Sequence, residues 1–285
     1  MKSRVAELIS QAASEAALRE VLTTPKPGLV DALGNGCHSD MDCALFKKSA
    51  EALAPYWKMQ AECGMRSVPR GEQLKELRST GLEMEEAMTA ATEGINTHKG
   101  LIYLMSLLVC GAGRAAMLGM SGSAEAAAAQ AAFIASGTVE QQLMPLLDGR
   151  KKSGLTNGER LFIEHGITGV RGEAERGFPS VTERALPVYR AALAKGAEWN
   201  DAGLAALLSL MLCCEDSNVM HRAGYGYWQG QYRQQVEQAS RRFDPLKKNY
   251  GPLEELEKSF IPRRVSPGGA ADLLSCTYFL HKIAS

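Results

Sequence analysis

Apolar residues recur along almost the whole chain at the three- and four-residue spacing of a helix face. Val5, Leu8, Ala12 and Ala16 make one such stripe, and Phe46, Ala50, Leu53 and Trp57 make another. No stretch sustains the strict alternation of a half-buried strand. Further helices are expected over 71–92, 98–119, 123–147, 180–195, 200–214, 224–242, 252–260 and 267–282. The alanine-rich run from Ala124 to Ala132 has the highest intrinsic helix propensity among them. Ser39 with Asp42, and Thr156 with Glu159, have the spacing of a capping box, which satisfies the free amides at a helix start. Residues 120–123 and 147–158 are rich in glycine and charge and are expected as exposed loops. The pattern predicts an all-α fold, a single compact multi-helix bundle over residues 1–285 with active-site loops at helix ends on one side.

Composition narrows the partners. Hydrophobic residues are 45% and charged residues 22% of the 285, which suffices for an ordinary buried core. Lysine plus arginine equals aspartate plus glutamate at 32 each, so no long-range positive field gathers nucleic acid or an anionic membrane. Any anion has to be held by local groups. The longest apolar run, Leu101 to Cys110, falls well short of the roughly 20 residues that span a bilayer, and it reads as a buried helix. Arg4, Glu7, Arg19 and Glu20 punctuate the N-terminal segment, which lacks the apolar block of a secretory signal, so the expected compartment is the cytoplasm. Seven cysteines with no CxxC pair give neither a disulfide framework nor a zinc site; Cys37 alone is placed to be a reactive thiol.

Glycine, proline and asparagine, sparse in helical proteins, collect here with histidine and charge in five short segments. The first, residues 24–42, holds Pro25 and Pro27, the close-approach glycines Gly28, Gly34 and Gly36, the cation Lys26, and then His38, Asp40 and Asp42. Two carboxylates two residues apart suit magnesium, which takes one or two protein carboxylates and keeps its waters and phosphates; they equally suit a helix start. The second, residues 93–100, has Gly94 to break one helix and Thr97 to cap the next, so the amides near His98 and Lys99 would face an anion, with Asn96 beside them.

The third segment, residues 159–181, sets Arg171, Glu173 and Glu175 among glycines and a proline that prevent a regular helix. Its carboxylates can do base chemistry or bind a sugar hydroxyl while its arginines hold phosphate; a surface salt-bridge loop is the plainer reading. The fourth, residues 215–224, delivers Asp216, Asn218, His221 and Arg222 from an apolar helix to its edge, close enough in register to share one pocket or merely to end a helix. In the fifth, residues 263–274, Ser266 can cap, Pro267 fits the first helical position, and Gly268 and Gly269 leave amides uncovered for a phosphate. The same residues make an ordinary helix start. No GxxxxGK[ST] loop, GxGxxG after a strand, GxSxG elbow or HExxH zinc motif is found, so phosphate has to be held by helix ends, cations and magnesium.

In order, TPKPGLVD, HSDMD, EGINTHKG, GERLFIEHGITGVRGEAERGFPSV, DSNVMHRAG and SPGGAADLL resemble the triphosphoribosyl-dephospho-coenzyme A synthase family, from about Thr24 to Leu280. Ala32, Gly34 and Cys37 sit where that family often has other residues. The resemblance implies a pentosyltransferase that joins ATP to 3′-dephospho-CoA and releases adenine. Its product is the prosthetic-group precursor for the acyl carrier protein of malonate decarboxylase or citrate lyase. Attack by the 2′-hydroxyl on the anomeric carbon of the ATP ribose develops positive charge on the sugar, which calls for a carboxylate, a base and help for departing adenine.

On that reading Glu173 or Glu175 is the base or charge stabiliser, and Asp40 and Asp42 hold magnesium. His98, Lys99, Arg171 and Arg222 form the anion site, with Lys26, Gly268 and Gly269 as weaker members, and His38, His98, His221 or Asp216 reaches adenine. Asn96 and Asn218 join the substrate wall. A magnesium-dependent hydrolase of phosphoribosyl or ADP-ribosyl compounds, and a non-catalytic nucleotide-binding partner of a carrier-protein assembly, are the competing readings. The alanine-rich helix over 123–135 offers a smooth face on which a homodimer would pack.

Overall fold

A computed structural model describes residues 2–149 and 153–285. Its first half runs α1 (Lys2–Leu22), α2 (Cys43–Gly64), α3 (Arg70–Ala91), α4 (Lys99–Met117), α5 (Ala124–Ala135), α6 (Thr138–Gln142) and α7 (Met144–Leu147). Then come α8 (Asn157–His165), α9 (Gly169–Glu175), a π-helical turn (Ser180–Ala185) leading into α10 (Leu186–Ala194), and α11 (Trp199–Cys213). The chain ends with α12 (Ser217–Ala223), α13 (Tyr225–Tyr227), a second π turn (Trp228–Tyr232), α14 (Arg233–Arg242), α15 (Gly251–Phe260) and α16 (Gly268–Ile283). No strand occurs among the described residues, so the fold is all-α.

Apolar helix faces meet in one main core; on α1 that face runs through Ala6, Ile9, Ala13 and Ala16, and Leu8 of the expected stripe is exposed. Leu53 and Trp57 of α2, Leu101, Leu104, Met105 and Leu107 of α4, and Phe279 of α16 are almost completely buried in that core. Helix α4 is long and apolar enough to cross a membrane, yet most of it is buried between its neighbours in the bundle. Small residues let α4 approach both flanking helices closely. A methyl group on Gly113 would strike the Ala61 carbonyl of α2, and one on Gly111 would strike the Ala127 carbonyl of α5. Ala124, Ala127, Ala128, Ala131 and Ala135 are all buried, so the alanine face expected to offer a dimer contact is consumed inside the chain.

Four expectations need correction. The helix expected over 123–147 is split into α5, α6 and α7, because Gly137 adopts a left-handed backbone with φ 82° and Pro145 has no N–H to continue α6. Residues 159–181 are largely helical, as α8, α9 and the first π turn. Their glycines act as stops, with Gly166 closing α8 at φ 71°. At the start of α2 the cap is Asp42 itself, whose Oδ1 accepts from Leu45 N at 2.8 Å, and Ser39 takes no part. The Thr156–Glu159 capping box is present in both directions, so 157–158 begin a helix and do not belong to the loop.

Candidate active site

The five glycine-rich segments, scattered over the sequence, meet around the first turns of α16. From the first segment, His38 Nε2 lies 2.8 Å from Ser266 Oγ, and Gly28 packs so closely on the Val265 carbonyl that no side chain fits there. From the second, Gly100 makes room for Asp272, which accepts the Leu101 N–H at the start of α4. From the third, Glu173 faces a small hollow that it shares with Gly269 and Leu273. From the fourth, Asp216 Oδ2 accepts Ala270 N at 3.0 Å.

Carboxylates at this junction mostly cap helices other than their own. Asp216 Oδ1 accepts Asn218 N and Val219 N at 3.0 and 3.2 Å, so this one buried side chain holds the starts of both α12 and α16. Burial raises its pKa to about 6 against the pull of those amides. Glu215 Oε2 accepts Thr168 N, Thr168 Oγ1 and Gly169 N at the start of α9. Glu173 accepts Ser180 N and Oγ at 2.9 and 3.0 Å, and Glu175 accepts Gly137 N and Val139 N at 2.5 and 3.0 Å. All are charge-assisted bonds, most of them to backbone donors and two to the hydroxyls of Thr168 and Ser180.

This arrangement changes several expected roles. Asp216 already sits on the amides at the start of α16, including that of Gly269, where an external phosphate was expected. Glu173 and Glu175 have both oxygens committed. The hollow beside Glu173 measures about 20 Å³, enough for a single water and not for a sugar. A more open cleft of about 320 Å³ lies against α6, α7 and α9, with Glu175, Arg176 and Thr168 in its wall. Burial raises the pKa of Glu173 despite the Ser180 bonds.

The expected cations sort into buried and free. Lys26 is buried, its Nζ donating to the Glu20 carbonyl at 2.7 Å and to Glu20 Oε1 at 2.5 Å, so it is not an anion-binding cation. His98 is not one either. Burial, with Lys26 nearby, lowers its pKa to about 3 and keeps it neutral. Its Nδ1 lies 2.6 Å from Ser49 Oγ, which itself accepts from Thr97 Oγ1 at 2.7 Å. The other ring nitrogen, Nε2, is buried with no partner among the described residues. Thr97 is thus engaged with Ser49, and Asn96 Oδ1 accepts Lys99 N at 3.2 Å in its place. Lys99 is exposed and paired with Glu85 at 2.7 Å, and Arg171 Nε donates to Gln142 at 3.0 Å.

Arg222 is exposed on α12, one turn beyond Asn218, and Asn218 Nδ2 faces Gly268. Arg222 and Arg264 both lie close enough to His38 and Cys37 to perturb their protonation, and neither has a carboxylate partner among the described residues. His38 is held below its usual pKa by burial and then by Arg222. Cys37 is pushed up to about 11, chiefly by burial, so it is a protonated thiol at neutral pH, which speaks against the reactive alternative and for the plainer reading of the cysteines as small apolar side chains. Asp40 is exposed, with Oδ1 3.8 Å from His38 Nδ1, and Asp42 is exposed with one oxygen used in capping. His221 is exposed as well, apart from the buried Asp216.

Sequence reasoning passed over Arg264, Glu215, Glu20 and Asp272. Asp272 had a signal, since it is the one charged residue between Arg264 and Lys282, in an otherwise apolar helix. Arg264 lies two residues before the SPGG turn and is readable from that proximity.

The chain thus brings two arginines with no carboxylate partner among the described residues, and a histidine, to one place, a set of groups that can hold an anion. The chain belongs to the CitG family, ATP:dephospho-CoA triphosphoribosyl transferase, whose family model matches residues 6–285. It is 36% identical over 277 residues to the 2-(5''-triphosphoribosyl)-3'-dephosphocoenzyme-A synthase of Pectobacterium atrosepticum, covering 96% of this chain and 88% of that one. Proteins named "Probable 2-(5''-triphosphoribosyl)-3'-dephosphocoenzyme-A synthase" from Vibrio cholerae and Streptococcus mutans are 37% and 36% identical. They match 97% and 98% of this chain over 88% and 96% of their own lengths. No solved structure matches.

Proposed function

We propose that this chain moves the 5-triphosphoribosyl group of ATP onto the 2′-hydroxyl of 3′-dephospho-CoA, releasing adenine, and that the substrates meet at the start of α16. The observation that carries the site is the convergence of all five segments on residues 264–272, with Arg222 and Arg264 unpaired beside His38. These cations hold the triphosphate, and Asn218 marks the path from Arg222 to Gly268 along which the ribose lies. The reaction is a displacement at carbon. The acceptor oxygen bonds to the anomeric carbon, the carbon–nitrogen bond to adenine breaks, adenine leaves with the electron pair and takes up a proton, and the hydroxyl gives one up.

Magnesium fits this site as an ion carried mainly by the triphosphate. Among the described residues no three His, Cys, Asp or Glu side chains come together to cage a metal. The exposed Asp40 carboxylate, beside the arginines through His38, is the donor that would complete its shell, with Asp42 secondary because it already caps α2. Bound there, magnesium neutralises phosphate charge. The product then serves as precursor of a carrier protein's prosthetic group.

Pure protein with ATP and magnesium, with and without dephospho-CoA, tests the reading. Adenine should appear only with the acceptor, in equal amount with a product that retains the triphosphate. Adenine release without acceptor would make the chain a hydrolase. Recovery of both substrates unchanged under conditions where both bind would make it a binding protein.

A further inference from the structure

We propose that Asp272 is the base that takes the proton from the acceptor hydroxyl. This rests on the transfer reading above and adds a residue to it. Several other acids at the junction are occupied. Asp216 caps two helices, Glu173 has both oxygens on Ser180, Glu215 gathers three donors at the start of α9, and Glu20 is paired with Lys26. Asp272 accepts one backbone N–H, that of Leu101, and as a residue it is only partly buried, where Asp216, Glu173 and Glu20 are buried. Its place is guarded by Gly100, where a methyl group would collide with Oδ2.

Position along the helix supports the role. Gly268 and Asp272 are four residues apart on one face of α16, about 6 Å along its axis. Asn218 and Arg222 are spaced the same way on α12, and Asn218 meets Gly268. The polar strip from Arg222 through Asn218 and Gly268 to Asp272 thus starts at the free cations and ends at a carboxylate. A nucleotide whose phosphates sit at the arginines has its ribose further along this strip. Near the start of α4, the buried Nε2 of His98 has no hydrogen-bond partner among the described residues.

Electrostatics favour proton uptake. Burial, then the like charges of Glu20 on α1 and Asp216 at α12, raise the Asp272 pKa well above the usual aspartate range. Lys26 is already spent on Glu20, His98 is neutral, and Cys276, one turn on, is a buried thiol also pushed up. As the new oxygen–carbon bond forms, the hydroxyl proton passes to Asp272 Oδ while the bond to adenine breaks, and Asp272 later returns its proton to solvent.

The test is the steady-state rate of acceptor-dependent adenine release by Asp272→Asn. Circular dichroism and calorimetric titration of ATP and dephospho-CoA accompany it. The expected result is a fall in kcat of about 10²- to 10⁴-fold, with both KM values within about threefold and the helical signal retained. Asp272→Ala should recover part of its rate with added formate. In the wild type, log kcat should rise with slope one on the acidic side of its pH profile. A kcat within tenfold of wild type, a loss confined to KM, or a wild-type profile flat on the acidic side overturns the assignment, and the last needs no variant to fold. Absence of acceptor-dependent release from the wild type would instead overturn the transfer reading.

Discussion

At the scale of single residues, burial decides what each charged group can do. His98 and Lys26 look like anion ligands in sequence, but both are buried, one neutral and the other paired with Glu20. Charge in the sequence does not reveal this, because a glutamate six residues upstream of Lys26 gives no hint that the intervening turn folds back onto it. His98 has a measurable consequence. Its folded pKa is depressed to about 3, so only the unfolded chain takes up its proton between about pH 6.5 and 3. The stabilisation is full above about pH 6.5 and is lost as pH falls, at up to about 1.4 kcal/mol per pH unit from this residue. Urea midpoints of wild type and His98→Gln, taken from pH 7 to 4, should converge as pH drops; parallel curves would mean that His98 is charged in the folded protein.

At the scale of elements, helix spacing was legible and helix joining was not. The helical spacing of α1 and α2, and the Thr156–Glu159 box that starts α8, read directly because they are local, although Leu8 of the α1 stripe faces solvent. Glycines in residues 159–181 suggested loops, yet Gly166 and Gly177 only punctuate short helices whose free amides are capped by acids from elsewhere. Such capping between elements pairs residues far apart in sequence, as Asp216 does with Ala270, and no spacing rule finds it. Asp216→Ala should therefore loosen α12 and α16 together. A loss of about 2 kcal/mol or more in denaturant unfolding is expected, since three or more buried amides lose their acceptor. Asn218→Ala, on the exposed face of the same helix, should leave stability within about 0.5 kcal/mol. Equal losses from the two would show that the cap is not what ties these helices.

At the scale of the whole molecule, the all-α bundle was readable from helical spacing and the five segments that converge were readable from glycine, proline and charge clustering, and the family resemblance ordered them. Their convergence was not readable, because the bundle brings residues 24–42 against 264–267 only after α1, α2, α4 and α16 have packed. The account's central claim is that this convergence is where ATP and dephospho-CoA bind. Hydrogen exchange of the backbone amides, measured with and without saturating substrates, tests it most directly. Slowed exchange confined to residues 35–42, 96–101, 217–224 and 263–272 is the predicted result. Protection centred on α3 or α14, with these four stretches unchanged, would contradict it.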